Sequence, residues 1–218
     1  METAIQPNKV REIGTLHASD IFGKIYLKNG WIGNESMSGP GSDVARCESI
    51  IHAIPELFTE FNIMSMLDIP CGDLNWIRHV DFTGVKYTGA DIVIDLIHDD
   101  FEKYDRADMH FLVLNIIQDQ LPACDLILCR DCLVHFSIDD IKKTIVNIIK
   151  SKAKYLLCTT FTNAGRENKD MVTGHWRPLN MEDAPFNFPA PLKMIKEDVV
   201  GEFADKSLGL WNIEELIK

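Results

Sequence analysis

The 218-residue chain, 46% apolar and 25% charged, has the composition of a single soluble globular domain able to bury a sizeable core. No apolar run approaches the roughly 20 residues of a spanning helix, and no basic stretch followed by an apolar one opens the chain, so no membrane anchor or secretory signal is expected and the cytoplasm is the default location. Twenty-two Lys and Arg against 33 Asp and Glu leave a net charge of −11, which repels a polyphosphate backbone and disfavours nucleic acid as a partner.

Residues 1–15 are polar and aperiodic and read as a loose lead-in. An amphipathic segment, DIFGKIYLKNGW, follows between Ala18 and Trp31 and ends on the Asn29-Gly30 turn signal. Asn34 to Asp43 (NESMSGPGSD) is dense in turn formers; it could be a plain surface loop or a lid whose N–H groups meet a ligand. From a cap at Ser42 or Asp43, Val44, Cys47, Ile50, Ile51 and Ile54 recur at helical spacing, and Pro55 is expected to kink or end that helix.

Ile63 to Trp76, IMSMLDIPCGDLNW, is the stretch around which the rest is organised. A strand from Met64 to Ile69 carries Asp68 into a Pro-Cys-Gly turn, and a helix is expected from about Leu74 to Val80. Such a junction can hold a nucleotide-like ligand: Gly72 permits close backbone approach, the first helical N–H groups point at the ligand, and Asp68 accepts hydrogen bonds. An ordinary strand-to-helix turn would look the same.

A second strand, Lys86 to Asp91, ends on an acid 23 residues after Asp68, close to the spacing of about 20 at which α/β nucleotide sites place a carboxylate for ribose hydroxyls. A short helix over Ile92 to Asp100, a strand over Met109 to Leu114 and the pair Asn115-Ile116 follow. Asp125 to Arg130 (DLILCR) reads as a fourth strand, apolar enough for burial on both faces. After Asp131 and His135, the capping-box pattern at Ser137 opens an amphipathic helix through Ile141, Ile145, Ile148 and Ile149, and Tyr155 to Phe161 is a fifth strand. This alternation implies a mostly parallel, right-handed wound sheet.

Residues 162–191 lack periodicity but hold Arg166, His175, Trp176 and Arg177, so they read as an ordered, functional insertion. Leu192 to Glu197 and Ser207 to Ile213 form an antiparallel closing pair. The chain thus divides into an N-terminal extension with loop and helix (1–60) and an α/β core (61–218). The lone CxxC of Cys129 and Cys132 reads as buried or site-lining thiols, and no metal site is expected.

Four landmarks, LDIPCGD, GAD, Asn115 and DLILCRDCLVHF, make Asn62 to Phe161 resemble the class I S-adenosylmethionine-dependent methyltransferases. The resemblance implies a Rossmann-like, doubly wound, three-layer α/β/α fold with a mostly parallel seven-stranded sheet and an antiparallel C-terminal pair. It implies S-adenosylmethionine as cofactor, contacted by Asp68, Pro70, Cys71, Gly72, Asp91, Ile92, Asn115 and Ile116. Arg130 either touches the cofactor or forms a structural ion pair. The family's three glycines are reduced here to Gly72, and Leu74 should push the following helix away from the turn. That disfavours a dinucleotide pyrophosphate, as does the lack of a Tyr-x-x-x-Lys pair, so an NAD-dependent oxidoreductase is the weaker alternative.

Methyl transfer from a sulfonium asks the protein to position a nucleophile and, for a hydroxyl, to remove its proton. Asp131 and His135 leave the sheet edge where α/β sites lie, and His135 is the better base because imidazole titrates near neutrality. Their structural alternatives are a helix-start packing residue for His135 and a hydrogen-bond acceptor for Asp131. Arg166, His175 and Arg177 suit a phosphate or carboxylate and Trp176 a sugar or ring face. No Asn-Pro-Pro-Tyr or Asp-Pro-Pro-Tyr run and no Pro-Cys nucleophile follows the fourth strand, which disfavours nucleobase methylation.

The expected activity is therefore O-methylation of a small molecule. A sugar or a phosphorylated or carboxylated metabolite is the expected acceptor, and related enzymes point to natural-product or surface-polysaccharide assembly. A cofactor-binding regulatory or partner subunit without catalysis is the non-enzyme alternative. The N-terminal segment could cover the site or mediate a homodimer.

Overall fold

The computed structural model describes residues 17–105, 107–163 and 165–216; the lead-in expected over residues 1–15 lies outside them. Helix α1 spans Ala18–Leu27 and α2 Val44–Glu60; then come β1 (Ser65–Asp68), β2 (Lys86–Asp91), α3 (Ile94–Tyr104), β3 (Met109–Val113) and β4 (Leu126–Cys129). Helix α4 (Ile138–Lys150), β5 (Tyr155–Phe161), β6 (Lys193–Lys196) and β7 (Lys206–Asn212) complete the chain. The strands form one seven-stranded sheet in the order β3-β2-β1-β4-β5-β7-β6. The first five run parallel, and β7 inserts antiparallel between β5 and β6. The expected closing pair is thus present, with the later strand inside and the earlier one at the edge.

Alternation along the strands assigns the two faces. Met66, Leu126 and Leu128 belong to one buried cluster with Ile50, Ile54 and Leu57 of α2 and Leu96 and Ile97 of α3. Leu67, Ile127 and Cys129 point the other way, into a second cluster with Ile141 and Ile148 of α4. Helices therefore cover both faces, and all four residues of β4, the apolar centre of the expected DLILCR strand, are buried. No helix among the described residues is long and apolar enough to cross a membrane.

Two helix boundaries are fixed by the structure: Pro55, expected to kink or end α2, does not end it, and the helix expected after the central turn is corrected. Helix α2 passes through Pro55 to Glu60, because buried Leu57 and Phe58 continue the stripe begun by Cys47, Ile50, Ile51 and Ile54. Burying two such side chains is worth about 3–6 kcal/mol, which offsets the roughly 3 kcal/mol cost of an internal proline. The Asp43 side chain does not cap this helix; Glu35 Oε1 instead accepts from Val44 N at 3.1 Å.

The second correction falls at the central turn. No α-helix lies between β1 and β2; a single 3-10 turn, Ile77–His79, stands there instead. Leu74 has φ +56° with its side chain fully buried. A left-handed residue cannot sit in a right-handed helix, so the buried leucine stops the helix before it starts. The predicted helix N-terminus is therefore not available to a ligand.

Candidate active site

The sheet order reverses between β1 and β4, and a crevice opens there outside the carboxyl ends of the strands. It contains a cavity of about 1020 Å³ including its open mouth. The nine residues expected to contact the cofactor line it together with Asp131 and His135, the two candidates for chemistry.

On the β1–β2 side two acids are held under the turn. Asp68, at the end of β1, accepts the Tyr87 hydroxyl at 2.7 Å; burial pushes its carboxyl up to about 7 despite that bond and nearby Arg130. Asp91, at the end of β2, accepts from Val93 N at 3.0 Å and Gly72 N at 3.3 Å, and burial raises it to about 6 against those amides. Each oxygen of Asp91 retains a lone pair for a ligand hydroxyl. Asn115 closes an Asx turn onto Ile117 N at 3.0 Å and brings Ile116 to the wall.

Gly72 serves a purpose that the sequence reading assigned to the ligand. Its φ is +59°, and a Cβ added there would lie 2.3 Å from Ser38 Oγ. The missing side chain makes room for the chain's own segment 34–43, which is strapped across the turn. Asp73 accepts from Ser36 Oγ and from Met37 N, both at 2.8 Å, and its own N–H donates to Ser38 Oγ at 3.2 Å. Asn75 donates to Glu35 Oε1 at 2.6 Å and to the Ser42 carbonyl at 3.0 Å. Met37, Ser38 and Ser42 thereby become cavity wall.

On the β4 side, a buried charge network fixes Asp131. Arg130 donates to Glu197 through Nη2 at 2.5 Å and Nε at 3.2 Å, and to the Gly41 carbonyl at 2.7 Å; it also lies 5.0 Å from the Trp76 ring centre. Lys206 bridges Asp131 at 2.6 Å and Glu197 at 3.1 Å. Asp131 has φ +50°, its N–H donates to Thr159 Oγ1 at 2.8 Å, and Arg130 Nη1 lies 3.5 Å from its carboxylate. Burial alone would raise the Asp131 carboxyl, but Lys206 and Arg130 outweigh it and hold it down at about 2. A carboxylate that weakly basic is a fixed anion at neutral pH.

His135 stands on the 3-10 turn Leu133–His135, and the segment after β5 grips that turn. Arg177 donates to the carbonyls of Phe136 at 2.7 Å and Val134 at 3.2 Å, and Gly174 N donates to the His135 carbonyl at 2.8 Å. Nδ1 of His135 lies 2.8 Å from the His175 carbonyl. A carbonyl only accepts, so Nδ1 carries the proton and Nε2 keeps its lone pair. Among the described residues Nε2 has no hydrogen-bond partner. Burial lowers the imidazole below its usual 6.5, so the ring is neutral at physiological pH.

The four residues expected to bind substrate do not line the cavity. Arg166 forms a two-point pair with Asp205 at 2.9 and 3.1 Å and lies against Phe161 and Phe203. Arg177 is spent on backbone carbonyls, and His175 contributes its carbonyl rather than its ring. Trp176 packs edge-on against Phe161 and Phe203 and is 42% exposed. In their place, Phe22, Tyr26, Trp31 and Phe136 line the cavity, with the Trp31 indole against the His135 ring. A legible signal existed for part of this: Glu197 and Lys206 are charges set against apolar closing strands, the pattern of a buried pair.

No protein-family model matches the chain, and no curated protein matches it in sequence. Its fold, by contrast, is shared. N-methyltransferase NodS from Bradyrhizobium japonicum WM9, in complex with S-adenosyl-L-homocysteine, has TM-score 0.62 at 14% identity, over 86% of this chain and 97% of that one. Magnesium protoporphyrin IX methyltransferase from Synechocystis PCC 6803, with bound S-adenosylhomocysteine, has TM-score 0.62 at 11% identity, over 88% and 98%. Human N-acetylserotonin methyltransferase in complex with S-adenosylmethionine has TM-score 0.52 at 13% identity, over 90% of this chain and 65% of that one. The chain has the Rossmann-like fold of the class I S-adenosylmethionine-dependent methyltransferases.

Proposed function

We propose that this protein is an S-adenosylmethionine-dependent methyltransferase acting on the hydroxyl of a small molecule, with His135 as general base. One observation carries the reading: two acids, a tight glycine turn and a histidine whose Nδ1 is held by the His175 carbonyl share a single cavity at the switch point of the sheet. The donor set fits the cofactor. Asp91 and Asp68 can accept from ribose hydroxyls or an ammonium group, and Ile92, Val93, Leu114 and Ile116 offer an apolar slot for a base.

S-adenosylmethionine, when bound, supplies an electrophilic methyl group on a sulfonium. The protein's part is to hold the acceptor in line and take its proton. The His175 carbonyl keeps the Nδ1 proton in place, so Nε2 faces the cavity as the basic nitrogen. Asp131 stays ionised and orients the site rather than accepting the proton. The buried walls limit water around the reacting atoms.

Calorimetric titration with S-adenosylhomocysteine tests the cofactor half; no binding to folded protein at high micromolar concentration defeats it. His135→Ala tests the base: turnover should fall about 10²–10⁴-fold with S-adenosylhomocysteine affinity unchanged. An unchanged turnover number removes His135 from the mechanism.

A further inference from the structure

The half of the cavity that faces His135 is aromatic and carries no net charge. Phe22 and Phe136 have ring centres 5.8 Å apart, and the Trp31 indole lies 4.2 Å from the His135 ring. Among the described residues Arg130 is the only arginine or lysine lining the cavity. Its guanidinium donates through Nε and Nη2 to Glu197 and the Gly41 carbonyl, with Nη1 3.5 Å from the Asp131 carboxylate, and Lys206 behind it is shared between Asp131 and Glu197. Two cations and two carboxylates cancel, so the network offers no net charge to a phosphate, a carboxylate or an ammonium group.

The opposite wall is acidic. Asp68 and Asp91 line it, beside the Tyr26 hydroxyl that burial and nearby aspartates hold above its usual range. An anionic acceptor would find no lysine or second arginine in the lining to offset its desolvation. A polyhydroxylated sugar would need several hydrogen-bonding side chains, whereas Phe22, Phe136 and Trp31 line this half with apolar ring surface, which suits a planar ring.

We infer that the acceptor is an uncharged aromatic compound whose own ring-borne hydroxyl, a phenol, is methylated. The inference rests on the methyltransferase reading above and narrows its acceptor. The acceptor oxygen's lone pair forms the O–CH₃ bond as the S–CH₃ bond breaks, the electrons of that bond stay on sulfur, and the hydroxyl proton goes to Nε2 of His135. The strength of the base agrees with this assignment. An imidazole more weakly basic than usual takes a proton from a phenol, pKa about 10, far more readily than from a hydroxyl near water's value of about 15.7.

The test uses full-length protein saturated with S-adenosylhomocysteine and titrated with 2-naphthol, 4-hydroxybenzamide, glucose 6-phosphate, methyl glucoside and benzylamine. A parallel assay supplies S-adenosylmethionine and measures S-adenosylhomocysteine release and the methylated product. At least one uncharged phenol should bind and be converted to its methyl ether, at least tenfold better than any other probe. Trp31→Ala and, separately, Phe22→Ala should each weaken phenol binding by more than threefold. If neither phenol binds, or if the phosphate, sugar or amine is the better acceptor, or if neither variant weakens phenol binding, the assignment fails while cofactor binding keeps the methyltransferase reading intact. If S-adenosylhomocysteine itself does not bind, the underlying reading fails first.

Discussion

Glu197→Ala should destabilise the protein more than any change at a solvent-exposed charge. The Glu197 carboxylate is 2% exposed and takes three hydrogen bonds or ion-pair contacts, two from Arg130 and one from Lys206. Without it, Asp131 must serve two buried cations alone. Removing one partner of a buried ion pair costs about 3–5 kcal/mol, because the remaining charge stays desolvated. For a domain of this size each kcal/mol lowers the melting temperature by about 2–4 °C, so the expected fall is roughly 6–20 °C.

Differential scanning calorimetry at neutral pH, at low and high salt, measures it. Salt should change the difference little, since the pair is shielded from the ionic atmosphere. Glu197→Gln, which keeps two acceptor or donor sites without the charge, should fall between the variant and the wild type. A drop below about 3 °C for Glu197→Ala would refute the claim that the network is buried and mutually neutralising.

Three further outcomes follow from the site. Asp91→Ala should weaken S-adenosylhomocysteine binding more than tenfold by calorimetry, since hydrogen bonds to a charged carboxylate are lost; unchanged affinity would remove Asp91 from the cofactor site. Gly72→Ala combines a left-handed backbone with a 2.3 Å approach to Ser38 Oγ and should lower the melting temperature by several degrees, with part of the loss restored in the Gly72→Ala/Ser38→Ala double variant. No restoration would show that backbone strain alone accounts for the loss.

Asp100 is buried with Oδ2 unpartnered among the described residues, and burial, then Asp73, push its carboxyl up to about 8 from 3.8. Between those two values the unfolded chain binds fewer protons than the fold, so stability falls as pH rises through that window. Asp100→Asn should therefore stabilise little near pH 4 and most near pH 8, read as melting temperature against pH. A gain independent of pH would contradict the assignment of the cost to ionisation.

What could be read from the sequence was whatever a periodic pattern and its punctuation determine. Lys86–Asp91 and Tyr155–Phe161 were bounded to the residue, because turn formers or lysines flank runs that fit only a strand. Ser137 was legible as a cap for the same reason, and its Oγ accepts from Asp140 N at 3.2 Å. The absent helix after β1 was not legible: leucine is a good helix former, and nothing local announces that Leu74 will be left-handed. Its conformation is imposed by the core position its side chain fills.

The half of the cavity proposed to take the cofactor was legible as a cluster because a strand end and the acid on it are adjacent in the chain. The acceptor half was not, because each of its parts is long-range. Arg177 reaches back more than 40 residues to the turn that carries His135, while Glu197 and Lys206 neutralise Arg130 and Asp131 from the last two strands. Arginines in an aperiodic loop look free to meet an anion, and only their hydrogen bonds show that backbone carbonyls and Asp205 have already taken them. Those same bonds are why we propose a different acceptor from the one these arginines suggested. The cations that pointed to a phosphate or carboxylate act as struts, and the wall they brace around His135 is built from rings.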